Sequence, residues 1–453
     1  MQEITNYSNT ELYRGVRGIA VKILNRIDRT DAYLEKLLEA ELRNPELSGP
    51  DKSLLFEIVH GVIRWSGRID WILNSFYKGQ FSKCIPNIKN AMRVALYQIL
   101  FLDRIPEYAA VNEAVEFIKR IQGQKPADLT NAVLRNIIRN KDSLRYPDQE
   151  ADLIEYLSVY YSHPSWMIKR WIHRFDRTSL EALLAANNSK PQMMLRCNTL
   201  KTTPKELSEL LESVELSFQP GLFLDDYFRL KGLSNITDWE YFTRGYFTIQ
   251  DESTGFACRL MGLRPGMRVL DLCAAPGGKT AYMAALMNDS GEIIALDKYE
   301  SRLRIMDKNM KRLGLQSVKT VEADALEYEA EPFDAVLLDA PCSGLGTLSK
   351  KPDIKLKRDQ FEIRELTKLQ SALIDKAAAL VKSGGTLVYS TCTIEPEENT
   401  NIINGFLQRH TEFTLCNAAD LVPAQVVNDD GCVQTYPHIH QMDGAFAARL
   451  VKT

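Results

Sequence analysis

The sequence predicts a multidomain chain of three parts: an all-α helical bundle over residues 1–142, a small α+β region over 143–244 and a doubly wound α/β domain over 245–453. Three observations carry that prediction. Apolar residues recur at helical spacing through the first part. Short strand-like runs flank a helical stretch in the second. Strands and helices alternate in the third, with strands apolar on both faces, the mark of a parallel sheet covered by helices.

In the first part, Val16, Ile19, Ala20, Ile23 and Ile27 fall on one helix face, as do Leu34, Leu37, Leu38 and Leu42. Val111, Ala114, Val115 and Ile118 repeat the pattern. AMRVALYQILFL, from Ala91, is apolar nearly all round, which predicts a central buried helix. The polar stretch Asp142–Asp152 reads as a linker, and SHPSWMIKRWIHRF, from Ser162, as helical after Pro164. MMLRCNTL and YFRLKG read as strands around the helical TTPKELSELLESV. In the third part MRVLDLC, EIIALD, VKTVEAD, FDAVLLDAPC and GTLVYSTC read as successive strands. GKTAYMAALM, 301–313, 360–381 and EENTNIINGFLQRH read as the helices between and after them, and FTLC and GAFAARLV close the chain.

Composition narrows the function classes. At 453 residues the chain exceeds one ordinary core, and its 45% hydrophobic and 25% charged content is ordinary globular usage. Charge breaks every long apolar stretch before the ~20 residues a bilayer requires, so no membrane association is expected. MQEITNYSNTELYRG lacks the basic-then-apolar pattern of a leader, and a cytoplasmic protein is the expectation. None of the eight cysteines forms a C-x-x-C pair, which argues against a zinc ribbon, and no metal or disulfide is expected. The net charge of −3 removes a whole-chain basic excess, so any nucleic-acid surface must be local. One basic run lies between Cys342 and Arg358: Lys350, Lys351, Lys355, Lys357 and Arg358 against Asp353 alone. By itself such a run is more often a solvated loop.

Doubly wound sheets bind ligands beyond the carboxyl ends of their strands, and the polar motifs of the third part fall there. DLCAAPGGKT places Gly277 and Gly278 in a turn that can approach a ligand closely. The P-loop pattern fails because Cys273 stands at its first glycine position, and G-x-G-x-x-G is absent. The turn therefore suits a nucleoside rather than a triphosphate or pyrophosphate. Asp297 follows the second strand, where it can accept from ribose hydroxyls; Asp324 the third, where it can accept from an adenine amine; Asp339 the fourth. Each acid alone is equally an ordinary cap or turn residue. Cys342 lies just past the fourth strand and Cys392 just past the fifth. With strand order 1-4-5 the two would face each other across one crevice, and a cysteine pair in polar turns points to reactivity rather than packing.

These residues carry a family resemblance. YFTIQDES, DLCAAPGGKT, LLDAPCSGLG, KKPDIK, STCTIEPEEN and DGAFAARL resemble the NOL1/NOP2/Sun RNA cytosine-5 methyltransferases. ALYQILFLDRIPEYAAVNEAVEFIKR and LTNAVLRNIIR resemble the NusB fold of the antitermination factor. Together they resemble the bacterial RsmB/Sun family, which joins a NusB-like bundle, here followed by an RRM-like region, to a Rossmann-like methyltransferase domain. The resemblance covers nearly the whole chain. Two departures are mild: Lys350-Lys351 where relatives often carry arginine and histidine, and Thr393 where serine is frequent.

The resemblance implies methylation of carbon 5 of a cytosine in small-subunit (16S) ribosomal RNA, with S-adenosyl-L-methionine as methyl donor, by a monomer. It implies Cys392 as nucleophile, Cys342 as the cysteine of product release, and Asp339 beside the base. It implies cofactor contacts from Cys273, Ala274, Ala275, Pro276, Gly277, Gly278 and Lys279, and from Asp297, Asp324 and Asp339. In that context the run Lys350, Lys351, Lys355, Lys357 and Arg358 is expected to contact RNA phosphates. Cysteine suits the chemistry because a thiolate adding at carbon 6 makes carbon 5 nucleophilic. Three alternatives remain: a transfer RNA cytosine-5 methyltransferase, a non-catalytic NusB-like RNA-binding scaffold, and a DNA cytosine methyltransferase. The last is disfavoured by the added Thr-Cys motif.

Overall fold

A computed structural model describes residues 12–231, 236 and 239–453. The first eleven residues of the stretch read as lacking a leader, and Gly232 at the end of YFRLKG, lie outside the described residues. The chain divides into two compact units: one runs to Ser189 and includes Lys351–Lys357, and the other comprises Lys190–Lys350 with Arg358–Thr453. Among the described residues no helix is long and apolar enough to cross a membrane.

The first unit is helical. Helix Pro86–Phe101 is its centre, with Met92, Ala95 and Leu96 fully buried. Helices Gly15–Ile27, Gly49–Arg64, Glu107–Gln122 and Gln124–Arg139 pack their apolar faces into the same core through residues such as Ala20, Ile58, Ile118 and Leu134. Local chemistry sets the starts: Ser48 and Asp51 form a reciprocal capping box ahead of Gly49–Arg64, with Pro50 in the first turn. The expected helix after Pro164 spans Ser165–Trp171. It and its neighbours Leu153–Tyr160 and Arg177–Asn188, which periodicity did not flag, belong to this unit. The helical part thus extends beyond residue 142.

The second unit holds two sheets. The smaller contains β1 (Met193–Cys197), β2 (Phe218–Pro220), β3 (Tyr227–Leu230) and β4 (Phe247–Ile249) in the order β2-β3-β1-β4, all antiparallel. Helix Pro204–Ser213, capped by Thr203 and Glu206, buries Leu207 and Leu211 with Leu195 and Phe247. β4 lies beyond the 244/245 boundary drawn from composition, because its pairing with β1 holds it to the small sheet.

The larger sheet contains β5 (Arg268–Asp271), β6 (Glu292–Asp297), β7 (Val318–Glu322), β8 (Phe333–Asp339), β9 (Val381–Thr391), β10 (Phe413–Cys416), β11 (Val433–Gln434) and β12 (Phe446–Lys452). The order is β10-β12-β9-β8-β5-β6-β7, with β11 paired to β12. β5 to β9 are mutually parallel, so the expected 1-4-5 adjacency is present as β5-β8-β9. β12 runs antiparallel between β9 and β10, which makes the sheet mixed rather than wholly parallel. Alternation along the strands divides the core: Val269, Ala335, Leu337 and Val388 face one helical layer, and Leu270, Val336, Leu338 and Leu387 the other.

Candidate active site

The register of β8 with β9 places Asp339 beside Ser390, and the chains leave the sheet together. Ala340 donates its N–H to Ser390 O at 2.8 Å. Three residues beyond Asp339 comes Cys342, and two beyond Ser390 comes Cys392. Their sulfurs lie 3.3 Å apart, and the Cys392 N–H reaches Cys342 Sγ at 3.3 Å. The facing loops are laced together further along. Gly346 N–H donates to Cys392 O at 3.0 Å, and the hydroxyls of Ser343 and Thr393 share a hydrogen bond of 2.8 Å. Buried Glu398 receives Ser343 N–H at 2.8 Å and Gln370 Nε2 at 3.0 Å. The hydrogen bond with Cys392, then burial, pushes the Cys342 thiol well above its ordinary range.

Lys279 and Asp339 join the thiol crevice to the glycine turn. Lys279 Nζ donates to Asp339 Oδ2 at 2.7 Å, and Ser390 Oγ donates to Oδ1 at 2.8 Å. Burial opposes the charge on Lys279, but Asp339 outweighs it and holds the ammonium above the ordinary lysine value. The turn itself is shaped by Gly277 in the left-handed region, φ 95°, which caps helix Gly278–Leu286 without any side-chain hydrogen bond. The first amides of that helix point outward with no intrahelical acceptor. Asp271 at the end of β5 is buried; Thr280 Oγ1 donates to its Oδ2 at 2.6 Å, and Oδ1 has no partner. Burial raises its pKa to about 7, with Asp339 adding to the effect. Burial likewise pushes the Cys273 thiol up to about 12, which makes it an inert wall residue.

Of the remaining acids, Asp297 ends β6 as expected. Its Oδ1 accepts Tyr299 N–H at 3.0 Å, and its Oδ2 pairs with Arg302 at 2.9 Å. Arg302 also donates to Ala275 O, so it ties the second strand end to the glycine turn. Asp324 stands two residues past the end of β7 rather than at it, where it pairs with Lys298 at 2.8 Å.

The basic run is corrected. It is not a solvated stripe, because protein acceptors take most of its donors. Lys350 pairs with buried Asp251 and, at 2.8 Å, with Asp443. Lys355 is 2% exposed, and its ammonium donates to Asn188 Oδ1 at 2.6 Å, Ser162 O at 3.3 Å and Arg64 O at 3.4 Å. Burial, then Arg64, lowers its pKa well below the ordinary lysine value. Lys357 donates to Ala32 O at 2.6 Å, and Arg358 Nε to Ser343 O at 3.2 Å. Lys351 is exposed. Charge counting therefore overstated how much of the run faces solvent: three of the five side chains hold the protein's own backbone, and Lys350 pairs with two aspartates. Asp251, Ser390, Glu398 and Asp443 lie within the segments that carry the resemblance but were assigned no role, and Arg302 lies outside them, since its local pattern does not distinguish it from a surface polar residue.

A doubly wound fold with this strand-end pocket defines a class, the nucleoside-cofactor methyltransferases. Comparison with known proteins narrows it. Residues 259–451 match the family model for the 16S rRNA methyltransferase RsmB/F, residues 14–139 the NusB family, and residues 163–237 the ferredoxin-like domain of RsmF/B-like methyltransferases. The chain is 35% identical over 444 residues to a probable ribosomal RNA small subunit methyltransferase B of Synechocystis, covering 96% of this chain and 99% of that protein. It is 34% identical to the ribosomal RNA small subunit methyltransferase B of Citrobacter koseri, covering 97% and 99%. The crystal structure of PH0851 superposes with a TM-score of 0.79 at 28% identity, covering 97% of this chain and 99% of that one. The chain belongs to the ribosomal RNA small subunit methyltransferase B family and is an enzyme of that kind.

Proposed function

We propose that this enzyme methylates carbon 5 of a cytosine in small-subunit ribosomal RNA through a covalent bond between Cys392 and the base. The observation that carries the reading is the meeting of Cys342 and Cys392, 3.3 Å apart, at adjacent strand ends beside Lys279 and Asp339. The names of the family and its relatives support ribosomal RNA as substrate.

The residues of the turn fit S-adenosyl-L-methionine. Asp271 offers a partnerless buried oxygen, and the uncapped amino end of helix Gly278–Leu286 offers amides to a carboxylate. Cys273, Ala274, Ala275, Pro276, Gly277, Gly278 and Lys279 would line it, with Asp297 toward the ribose and Asp324 toward the adenine. When bound, the group supplies an electrophilic methyl on a sulfonium. Cys392 adds to carbon 6 of the cytosine, which makes carbon 5 the nucleophile. Asp339, its carboxylate oriented by Lys279 and Ser390, holds the base and stabilises the charged adduct. After methylation Cys342, as thiolate, takes the carbon 5 proton; the electron pair of that C–H bond restores the ring double bond and expels Cys392 as thiolate. The target base must leave its stack to reach the thiol, which suits single-stranded RNA. Lys351, the exposed member of the basic run, would be free of burial to meet an RNA phosphate.

The test measures methyl transfer from labelled S-adenosylmethionine to small-subunit RNA and to total transfer RNA. Label in 5-methylcytosine of the ribosomal RNA is expected. Cys392→Ala should abolish it, and Cys342→Ala should leave protein bound to RNA as a slow band on a denaturing gel. Activity in the Cys392 variant, or label confined to transfer RNA, removes the reading.

A further inference from the structure

Two consecutive polar residues that follow β9, Glu398 and Asn399, are buried, 0% and 1% exposed. Burying such groups is costly unless hydrogen bonds replace those to water. Their partners turn out to be the chain neighbours of the two cysteines. Asn399 stands at the amino end of helix Thr400–Arg409, where an asparagine ordinarily accepts from the helix's own first amides. It makes no such bond. Instead its Oδ1 accepts the Thr391 hydroxyl at 2.6 Å, and its Nδ2 donates to Thr393 O at 3.0 Å. Thr391 and Thr393 flank Cys392, so one side-chain amide spans the turn of that thiol.

Glu398 holds the other turn. Its Oε1 accepts Ser343 N–H at 2.8 Å and Gln370 Nε2 at 3.0 Å, and its Oε2 accepts the Ser343 hydroxyl. Ser343 is the residue after Cys342. These donors are all neutral, and burial pushes the carboxyl above its ordinary pKa. The dipeptide is itself fixed, because Tyr389 Oη in β9 donates to Glu398 O at 2.7 Å. The hydroxyls of Ser343 and Thr393, 2.8 Å apart, close the ring between the two turns.

We propose that Glu398 and Asn399 form a two-armed clamp, in which Asn399 sets the position of Cys392 and Glu398 that of Cys342. Both are positioning residues, since their hydrogen bonds go to the neighbours of the cysteines rather than to the sulfurs. The two arms serve different steps: Asn399 supports formation of the protein–RNA adduct, and Glu398 supports its release. This rests on the reading of Cys392 and Cys342 as nucleophile and release thiol.

Variants of the full chain test it: Asn399→Ala and Glu398→Ala, with Thr391→Val and Ser343→Ala as milder cuts of the same two arms and Glu398→Gln as the conservative control. Melting temperature, kcat, KM for S-adenosylmethionine and the standing amount of denaturation-resistant adduct are measured on each. The rate of adduct formation is measured with each change added to Cys342→Ala, where the adduct persists. Asn399→Ala and Thr391→Val are expected to slow adduct formation about tenfold or more, since small misplacements of reacting groups carry costs of that size. Glu398→Ala and Ser343→Ala should form the adduct as fast as Cys342→Ala alone and, in the presence of Cys342, let it accumulate. KM for S-adenosylmethionine should be unchanged in all four. Glu398→Gln keeps an acceptor for Ser343 N–H and should recover most of the kcat lost in Glu398→Ala. Thr391→Val and Ser343→Ala each remove one hydroxyl, so they carry the test if the two larger truncations fold poorly. The same defect in both arms, or wild-type kcat in both Thr391→Val and Ser343→Ala, overturns the clamp. Failure of the underlying thiol reading is separate, because it shows as activity retained by Cys392→Ala.

Discussion

At the scale of single residues, the site is governed by which charges are compensated. Lys279 and Asp339 neutralise each other in the pocket, whereas buried Asp271 has no directly paired cation and is held by the Thr280 hydroxyl and the Cys273 backbone. Its raised pKa has a thermodynamic consequence. In the folded state the carboxyl keeps its proton up to about pH 7, and in the unfolded chain it loses it near 4. The native state therefore binds more protons in that window, and stability falls as pH rises from about 4 to about 7. Asp271→Asn, which still accepts from Thr280, should lack that part of the fall. Denaturant unfolding at pH 5 and pH 8 should show the variant gaining on the wild type at pH 8, by on the order of a few kcal/mol. An identical pH dependence in the two proteins would show that Asp271 is ionised in the fold. The carboxyl's place at a strand end was legible from DLCAAPGGKT. Its missing partner was not, because partners arise from neighbours distant in sequence.

At the scale of elements, the active crevice depends on loops packed backbone to backbone. Gly346 lies against Gly444 so closely that a Cβ on Gly346 would stand 1.9 Å from the Gly444 carbonyl oxygen. No rotamer relieves such a contact, so Gly346→Ala must separate the loop of Cys342 from the chain before β12. The expected cost is about 1–3 kcal/mol, the range for overpacking, with loss of most methyl transfer. Thermal melting together with a turnover assay checks this, and wild-type turnover in the variant would show the contact to be dispensable. Strand ends and helix periods were legible along the chain because they follow local rules. The structure adds reciprocal caps, Thr203 with Glu206 ahead of Pro204–Ser213 and Asp359 with Glu362 ahead of Gln360–Ala379. β4 and β12 were harder. The membership of β4 in the small sheet, and the antiparallel direction of β12, are set by pairing rather than by their own residues.

At the scale of the whole molecule, two units with separate cores make a single two-state transition unexpected. Differential scanning calorimetry should resolve two transitions. S-adenosylmethionine at about 100 times its Kd should add about 2.7 kcal/mol to the unit that holds the glycine turn, and move only one of them. A single transition that shifts as a whole on binding would show that the two cores unfold cooperatively. The division into helical, mixed and doubly wound parts was visible in periodicity alone. The boundaries were not, since the polar stretch Asp142–Asp152 reads as a linker although the helices on both sides of it belong to one unit, and β4 shows no break from the stretch after it.

The order of elements, the adjacency of the fourth and fifth strand ends and the placement of a cysteine just past each are properties that sequence determined, because alternation and short motifs encode local backbone choices. The fate of the lysines was decided only by tertiary structure. A charge is the same letter in solvent or against three carbonyl oxygens, and the side of that divide on which Lys355 falls depends on chain brought from residues 64, 162 and 188.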